Sequence, residues 1–369
     1  MIEDSRKQVC RMYESYDILR IKEKAGIVSA SKELQFREIH KELIPLKGLQ
    51  NTSIYMVVTE EMKTKLMSIH NLYAQISREK KIKDIILLDA FHSATIEGAR
   101  TTVENVRKAY DKPKTKDDKM VINTIYGMNY AYANPISMKN IRQLWEIVTK
   151  DVCDNSHLAG ELFRKGMVYV GSNTDIIHTP ANPEKIEEMM QELFRFMETS
   201  GLNIWIKAAI SHFYFVYIHP FCDGNGRTVR IMTQAFLKHG GMEKIQYLSL
   251  SRAINDNLSG YYNSLKESEI VYKNEERWMD ITSFIDYMLN VIEKCMLTAL
   301  KEDNELAEKQ KLLLSKMQKR GIGAEITLEN ATGILKVSTQ EAGEYLNELV
   351  EMGYLEYVEK ERKSIYRLK

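Results

Sequence analysis

The sequence predicts a mainly α-helical protein with one β-hairpin in its middle and a winged-helix domain at its end. Apolar residues recur at helical spacing over most of the 369 residues. Short β-branched and aromatic stretches flank the turn-forming residues 171–173, which is typical of a hairpin. After residue 305, helical patterns precede two alternating stretches, Tyr354–Val358 and Ser364–Leu368. This order is typical of a winged helix.

The composition is that of a soluble globular protein. Hydrophobic residues make up 44% and charged residues 28% of the chain, and the formal net charge is +1. A charge so close to zero argues against a general attraction to nucleic acid or membranes. The cysteines form no CxxC pair, and the first ten residues lack the basic start and apolar run of a signal peptide. We therefore expect a cytoplasmic protein with reduced thiols.

We divide the chain into three regions, residues 1–110, 111–300 and 301–369. The first region is predicted to contain helices and loops, including a helix over about 81–98 that ends at Gly98. A polar, charged stretch, Asp111–Lys119, is predicted to be an exposed connection into the second region.

Two helices of the second region are clearly delimited by the sequence. Asn182 is a predicted N-cap and is followed by Pro183, which suits the first turn of a helix. The stretch from about Leu202 to Ile218 is apolar almost all round, so we expect a buried, central helix. Because this stretch contains Lys207 and is too short to span a bilayer, we predict no membrane association.

The stretch that follows this helix, His219–Arg230, has the composition of a phosphate-binding loop. Three of its residues tolerate backbone angles that turn successive N–H groups toward one anion at the start of a helix, namely Gly224, Asn225 and Gly226. Arg227 and Arg230 lie three residues apart on that helix, so both are predicted to reach the same polyphosphate.

Two further side chains in this loop can support phosphate chemistry. Asp223 offers a hard oxygen ligand to Mg²⁺, which takes its other ligands from water and phosphate. His219 precedes Pro220, which favours a loop conformation, and its imidazole can accept the proton of an attacking hydroxyl. Each residue alone is common in turns. These twelve positions combine a base, an acid, converging amides and two arginines. The combination indicates a nucleotide site.

The loop resembles the HxFx(D/E)GNGRxxR motif of the Fic family, and every specified position matches. The resemblance covers roughly Ile86–Trp278, about half of the chain, and implies a Fic helical core with a β-hairpin flap. Family members are mostly enzymes that transfer AMP from ATP to Ser, Thr or Tyr hydroxyls of proteins.

The resemblance also implies roles for single residues. His219 would be the base, Asp223 would hold Mg²⁺, and Asn225 with the glycine amides would bind the α- and β-phosphates. Arg230 would hold the γ-phosphate, and Phe221 would pack into the core.

Two other segments are similar to the family. The tip of the flap, which would lie over the nucleotide and align the target backbone as an added strand, is formed by Val170, Gly171, Ser172 and Asn173. Leu248–Ser251 with Tyr261 and Tyr262 resembles the segment that closes over adenine, although adjacent tyrosines on a helix also fit core packing. Glu269 stands where relatives often carry an asparagine that contacts the base, so adenine preference is less secure than phosphate binding.

A glutamate occupies an unfavourable place near the end of the helix over 81–98. Glu97 lies in the last turn, where the helix dipole disfavours an anion, and Ser93 lies four residues before it on the same face. Residues 93–98 resemble the inhibitory motif (S/T)xxxE(G/N) of Fic proteins that carry it before the catalytic motif. The resemblance implies that Glu97 pairs with Arg230, which then cannot take the γ-phosphate of ATP, so that AMP transfer is slow.

These features predict an ATP-dependent protein adenylyltransferase restrained by Glu97, with Mg²⁺ as cofactor and an unidentified protein, or the chain itself, as target. One alternative is an enzyme that uses the same site to remove AMP, because Glu97 could position a water. Another is a DNA-binding regulator whose Fic-like part only senses nucleotide.

The composition of the third region argues against DNA. Residues 305–369 contain 11 basic and 11 acidic residues, and the helix expected to read DNA carries Glu341, Glu344, Glu348 and Glu351. DNA phosphates would repel these carboxylates, and the remaining candidate contacts are Lys360, Arg362 and Lys363. We therefore expect this domain to dock a protein or a second copy of the chain.

Overall fold

The computed structural model describes residues 14–76, 82–153, 163–171, 176–273, 276–321, 323–360 and 363–369, and it is mainly helical. The chain divides into two compact units, Met1–Met296 and Leu297–Lys369. Most of the two regions predicted as residues 1–110 and 111–300 lie in the first unit. Within the described ranges, no helix combines the length and the apolarity that crossing a bilayer demands.

The described helices that lie within the first unit are α1 (Tyr16–Lys24), α2 (Val28–Ile39), α3 (Glu60–Gln75), α4 (Ile82–Ile96), α5 (Val103–Ala109), α6 (Lys116–Ala133), α7 (Met138–Thr149), α8 (Pro183–Thr199), α9 (Ile204–Ile218), α10 (Asn225–His239), α11 (Leu250–Asn255) and α12 (Leu258–Ser268). Its strands are β1 (Lys41–Lys47), β2 (Ser53–Val57), β3 (Val170–Gly171), β4 (Ile176–His178), β5 (Tyr272–Lys273) and β6 (Arg277–Asp280). Helix α13 (Thr282–Gln318) begins in this unit.

Helix α9 lies at the centre of the first unit, as its apolar sequence predicts. Almost all of its side chains are buried, and α8 and α10 pack against it. Helix α8 begins as predicted, because the Asn182 side chain accepts a hydrogen bond from the Glu184 N–H and Pro183 is the first helical residue. The polypeptide leaves α9 at His219, at the edge of this core.

The first unit contains a four-stranded sheet that the sequence analysis did not predict. Residues 1–80 were expected to form helices and loops, but β1 pairs antiparallel with β2, and the strand order is β1-β2-β6-β5. Strand β2 is buried and runs parallel to β6, with Ser53 opposite Trp278. A short strand whose partner lies more than 200 residues away shows little local signature, which explains the wrong expectation.

The predicted hairpin and the predicted helix over about 81–98 are both present. Strands β3 and β4 pair antiparallel, with Val170 opposite His178, and the turn residues Ser172 and Asn173 lie outside the described residues. Helix α4 covers Ile82–Ile96 and is followed by Gly98, whose φ is +88°.

The connection expected over Asp111–Lys119 is only partly a loop, since α6 begins at Lys116. The Thr115 hydroxyl caps α6 by accepting a hydrogen bond from the Asp118 N–H. The carboxylate of Asp118 is itself buried and accepts a hydrogen bond from the Thr101 hydroxyl. The first turn of α6, with its buried aspartate, therefore resembled an exposed linker in the sequence.

The second unit contains the end of α13 and five further elements: β7 (Glu325–Thr327), α14 (Leu328–Leu335), α15 (Thr339–Glu351), β8 (Leu355–Lys360) and β9 (Lys363–Leu368). The strand order is β7-β9-β8. The helices and the final two strands were predicted, whereas β7 was not. Leu313, Leu346 and Leu355 belong to its buried core.

Candidate functional site

The segment between α9 and α10 is a strained turn that ends at the N-terminus of α10. His219 has φ 53° and ψ 63°, a left-handed conformation that is costly for a residue with a side chain. Gly224 has φ 76°, and a Cβ built there would lie 2.5 Å from Thr149 Cγ2. The glycine is therefore required both by its backbone angle and by close packing against α7.

The side chains of Asn225 and Phe221 brace this turn from inside. The Asn225 Oδ1 accepts a hydrogen bond from the Phe221 N–H at 3.0 Å, and its Nδ2 donates to the Phe221 carbonyl at 2.7 Å. The Phe221 ring is buried and stacks on Trp145 with a centroid distance of 4.7 Å, which confirms the predicted core position. The carboxamide of Asn225, expected to bind phosphate, is instead bonded to the backbone of its own loop.

Arg164 ties the strained turn to the base of the hairpin, a function that the sequence analysis missed. Its guanidinium is buried and donates to the carbonyls of His219 at 2.8 Å, Gly166 at 2.8 Å and Ala181 at 2.6 Å. One forked cation thus fixes the carbonyl of the left-handed residue together with both ends of the hairpin segment. Sequence alone offered no reason to select this arginine.

The imidazole of His219 is held in its neutral form. Burial, followed by the nearby His178 and the Arg164 cation, lowers its pKa to about 4. At neutral pH the ring is therefore unprotonated and able to accept a proton.

Asp223 lies at the exposed end of the loop with both carboxylate oxygens in polar contacts. Its Oδ1 accepts the Gly224 N–H at 2.5 Å, and its Oδ2 accepts the Cys153 thiol at 2.8 Å. Burial opposes ionisation of Asp223, but these hydrogen bonds and the charge of Arg227 outweigh it, and its pKa is lowered. Burial and the Asp223 contact raise the pKa of Cys153 to about 11, so the thiol keeps its proton.

Arg230 is enclosed by α4, and it contacts both residues of the motif recognised in that helix. Its Nε donates to Ser93 Oγ at 2.9 Å, and its Nη2 donates to the Ser93 carbonyl and to Glu97 Oε1, each at 2.8 Å. The Arg230 side chain is 1% exposed and that of Glu97 is 30% exposed. The predicted pairing of Glu97 with Arg230 is therefore present.

The Glu97 carboxylate also covers the first turn of α10. A Cβ built on Gly226 would lie 2.1 Å from Glu97 Oε1, so the carboxylate sits directly against the backbone of that glycine. The N-terminus of a helix attracts anions through its free N–H groups and its dipole. Glu97 thus lies where an anionic ligand of α10 would be expected.

Arg227 does not join Arg230, contrary to the expectation that both reach one polyphosphate. Its guanidinium is buried, and Nη1 donates to the Val148 carbonyl of α7 at 2.9 Å. Arg230 instead contacts α4. Spacing by three placed both arginines on one side of α10, but the two long side chains diverge toward different neighbouring helices.

The two tyrosines assigned to the adenine site occupy different environments. Tyr261 is 3% exposed, and its hydroxyl lies 2.9 Å from His212 Nε2, so its side chain is part of the core and its contact with a nucleotide stays a prediction. Tyr262 is 49% exposed, and Glu97 and Arg230 both lie close enough to influence its pKa, which burial raises. Of these two tyrosines, Tyr262 is the exposed one and lies near Glu97 and Arg230.

Glu269, the departure from the family pattern, anchors the second strand of the hairpin. His178 in β4 is buried, and its Nε2 lies 2.9 Å from the Tyr217 carbonyl. Its Nδ1 lies 2.8 Å from Glu269 Oε2. The hairpin is thereby connected to α9 and to the end of α12.

The helical core, the turn and the buried arginine define a known class of domain. Residues 135–237 match the Fic/DOC family model, from just before α7 almost to the end of α10. This part of the chain is therefore similar to Fic/DOC domains.

Curated relatives carry the name Protein adenylyltransferase Fic. The one from Drosophila grimshawi is 27% identical over 286 residues, which are 73% of this chain and 54% of the relative. The one from Drosophila ananassae is 29% identical over 246 residues, 63% of this chain and 44% of the relative. The chain thus spans about half the length of the curated relatives it matches.

A solved structure shares the fold. The Fic family protein from Desulfovibrio desulfuricans G20 is 18% identical and superimposes with a TM-score of 0.58. The match covers 85% of this chain and 97% of that chain.

Proposed function

We propose that this chain transfers AMP from ATP to a hydroxyl of a protein and that Glu97 restrains the reaction. The observation that carries the proposal is the neutral His219 imidazole beside a helix N-terminus whose arginine, Arg230, is paired with Glu97. The names of the curated relatives support the same chemistry.

In this reaction the hydroxyl oxygen attacks the α-phosphorus of ATP. A new oxygen–phosphorus bond forms, the bond to the bridging oxygen of the β-phosphate breaks, and pyrophosphate leaves. His219 accepts the hydroxyl proton, and its low pKa keeps it ready to do so. The N–H groups at the start of α10 and the Arg230 cation stabilise the negative charge on the phosphates.

Mg²⁺ fits the site as a partner of the nucleotide. Asp223 is exposed at the mouth of the loop, and its lowered pKa keeps it ionised. Mg²⁺ takes most of its ligands from water and phosphate, so one carboxylate is a sufficient protein ligand. Asp223 would hold the ion, which would neutralise phosphate charge.

Glu97 restrains the site in two ways. It pairs with Arg230, which therefore lacks a free position for the γ-phosphate. It also occupies the anion position against Gly226 at the start of α10. ATP that binds while Glu97 stays in place would have its α-phosphate misaligned for in-line attack, and phosphoryl-type transfer depends mainly on alignment and charge stabilisation.

The target is proposed to be a protein segment that lies along the hairpin β3–β4. Main-chain pairing at an exposed strand would present a Ser, Thr or Tyr hydroxyl without demanding one particular sequence. The chain itself is a candidate target.

We further propose that the second unit docks a protein or a second copy of the chain, because glutamates on α15 disfavour DNA. Cys153, Cys222 and Cys295 are not joined in disulfides, which supports a cytoplasmic location.

The test is incubation of four proteins with α-labelled ATP, Mg²⁺ and a cell lysate: wild type, Glu97→Gly, Glu97→Gly/His219→Ala and Glu104→Gly. Glu104 is the matched control, because it is an exposed glutamate whose carboxylate pairs with Lys108 of its own helix. We expect protein labelling at least tenfold above wild type with Glu97→Gly alone. If folded Glu97→Gly labels no protein, including itself, AMP transfer is rejected. Loss of label from previously modified protein would then favour AMP removal.

A further inference from the structure

Helices α4 and α10 meet along a polar seam that extends well beyond Glu97. One side of the seam consists of every fourth residue, Asp89 and Ser93 on α4 and Glu97 directly after its last residue, and the other side consists of Gly226, Arg230 and Gln234 on α10. Residues four apart share one face of a helix. The two helices run in opposite directions along the seam. Gln234 therefore contacts Asp89, Arg230 contacts Ser93, and Gly226 lies against Glu97.

Asp89 closes the far end of this seam with a complete set of hydrogen bonds. Its Oδ1 accepts from the Ser249 hydroxyl at 3.1 Å and the Ser251 N–H at 2.7 Å. Its Oδ2 accepts from the Ser251 hydroxyl and from Gln234 Nε2, both at 2.8 Å. The side chain is 1% exposed. Four donors thus fill the acceptor positions of one buried carboxylate.

The donors to Asp89 belong to elements that flank α4. Gln234 lies on α10, and its own Oε1 accepts the Tyr132 hydroxyl of α6, which orients the amide nitrogen toward Asp89. Ser249 caps α11, and Ser251 lies in its first turn. Asp89 therefore connects α4 to α10 and α11 at a point two turns, or about 12 Å along the axis, from Glu97.

We propose that Asp89 is a positioning residue for autoinhibition. It fixes the register of α4 on α10 and so brings Glu97 onto Arg230. This inference rests on the proposed function, since it concerns the regulation of the same site. Asp89 acts through the helix and touches neither the nucleotide loop nor His219.

Asp89→Asn tests the anchor with almost no change of shape. An amide offers one acceptor oxygen and two N–H donors, so donors that now meet a carboxylate oxygen would face another donor. We expect α4 to loosen on α10 and Glu97 to leave Arg230 more often. AMP transfer should then rise several-fold above wild type but remain below Glu97→Gly. In the Glu97→Gly background, Asp89→Asn should add no further increase.

Asp84→Asn is the matched control on the same helix. Asp84 is half exposed and accepts a hydrogen bond from Arg107 of α5, outside the seam. Ser251→Ala is a milder second variant, because it removes one hydroxyl donor and leaves the carboxylate intact. We expect Ser251→Ala to act in the same direction as Asp89→Asn with a smaller effect.

The experiment combines AMP-transfer rates with hydrogen exchange of the amides in 90–98, each with Asp89→Asn, Ser251→Ala and Asp84→Asn. Asp89→Asn should exchange several-fold faster than Asp84→Asn over these residues and should activate only when Glu97 is present. Equal exchange in the two aspartate variants would overturn the anchor. Faster exchange in Asp89→Asn without an increase in AMP transfer, in an assay in which Glu97→Gly is active, would overturn the proposal as well. If Glu97→Gly itself transfers no AMP, the proposed function fails, while the exchange result still decides whether Asp89 anchors α4.

Discussion

Arg230 Nη2 lies 2.8 Å from Glu97 Oε1, and the arginine is buried while the glutamate reaches solvent. A buried guanidinium that loses its anion is strongly destabilised unless another anion replaces it. A phosphate of ATP is such an anion, so under the proposed function Glu97 and the nucleotide would compete for one cation. This competition links the regulation of the site to its chemistry.

Ser93→Ala should activate weakly. The change removes the hydroxyl that accepts from Arg230 Nε, but the Ser93 carbonyl and Glu97 still hold the guanidinium. We expect AMP transfer a few-fold above wild type and below Glu97→Gly, measured as the initial rate with α-labelled ATP. Thr95→Ala is the control, because its hydroxyl donates to the Phe91 carbonyl of the same helix. Activation of equal size by Thr95→Ala would contradict a specific role for Ser93.

Gly224→Ala should destabilise the first unit more than a positive φ alone explains. The left-handed conformation costs roughly 1–2 kcal/mol for alanine, and overlap with Thr149 at 2.5 Å adds to it. Gly26→Ala isolates the first contribution, because Gly26 has φ +78° and a Cβ there would meet no atom of the described residues within 4 Å.

Urea unfolding followed by tryptophan fluorescence measures this difference, since all three tryptophans, Trp145, Trp205 and Trp278, lie in the first unit. We expect Gly224→Ala to lose at least about 1 kcal/mol more than Gly26→Ala. Equal losses would show that the loop relaxes away from Thr149.

Arg164→Lys should slow AMP transfer when introduced into Glu97→Gly. Arg164 reaches the carbonyls of His219, Gly166 and Ala181 from three separate nitrogens, whereas a lysine donates from one nitrogen and cannot span them, so the turn that carries the proposed base would lose its support. We expect the rate constant for transfer to fall roughly tenfold to hundredfold, as displacement of a catalytic group does. Arg195→Lys, an exposed arginine on α8, should leave the rate unchanged. An unaffected rate with Arg164→Lys would mean that the turn holds His219 by itself.

His212 should make the free energy of unfolding of the first unit depend on pH in the acidic range. Burial, followed by the charge of Arg230, lowers its pKa to about 3, whereas the unfolded chain has an ordinary value near 6.5. Between these values the unfolded state binds more protons, so stability is full above about pH 6.5 and is lost as the pH falls toward 3.

The free energy of unfolding of wild type should therefore fall about 1 kcal/mol more between pH 6 and pH 5 than that of His212→Gln. Exposed His70 supplies the control, since His70→Gln should keep the slope of wild type. A His212→Gln protein with the wild-type slope would show that His212 titrates normally.

Local patterns were sufficient for much of the fold and for the outline of the site. The apolar sequence of α9, the cap at Asn182 and the turn residues near Gly224 each determine structure within a few neighbours. The pairing of Glu97 with Arg230 joins residues 133 positions apart, and it was expected only because of the resemblance to the Fic family.

Long-range contacts account for what the sequence did not predict. Strand β2 pairs with β6, which lies far along the chain. Arg164 binds backbone carbonyls, which every residue type has, so the sequence does not mark its partners. Tyr261 was assigned to a ligand although its hydroxyl faces a buried histidine, because a motif does not tell which of two adjacent side chains points inward. Nothing in the sequence around Asp89 indicates that its carboxylate accepts four hydrogen bonds.

The competition for Arg230 is tested most directly by calorimetric titration of ATP and ADP into wild type and Glu97→Gly. ADP lacks the γ-phosphate, so the ratio of the two affinities reports whether Arg230 is free to bind it. We expect wild type to bind ATP and ADP about equally, and Glu97→Gly to prefer ATP by at least about tenfold, or 1.4 kcal/mol. The same ATP-to-ADP ratio in both proteins would contradict the claim that Glu97 withholds Arg230 from the nucleotide.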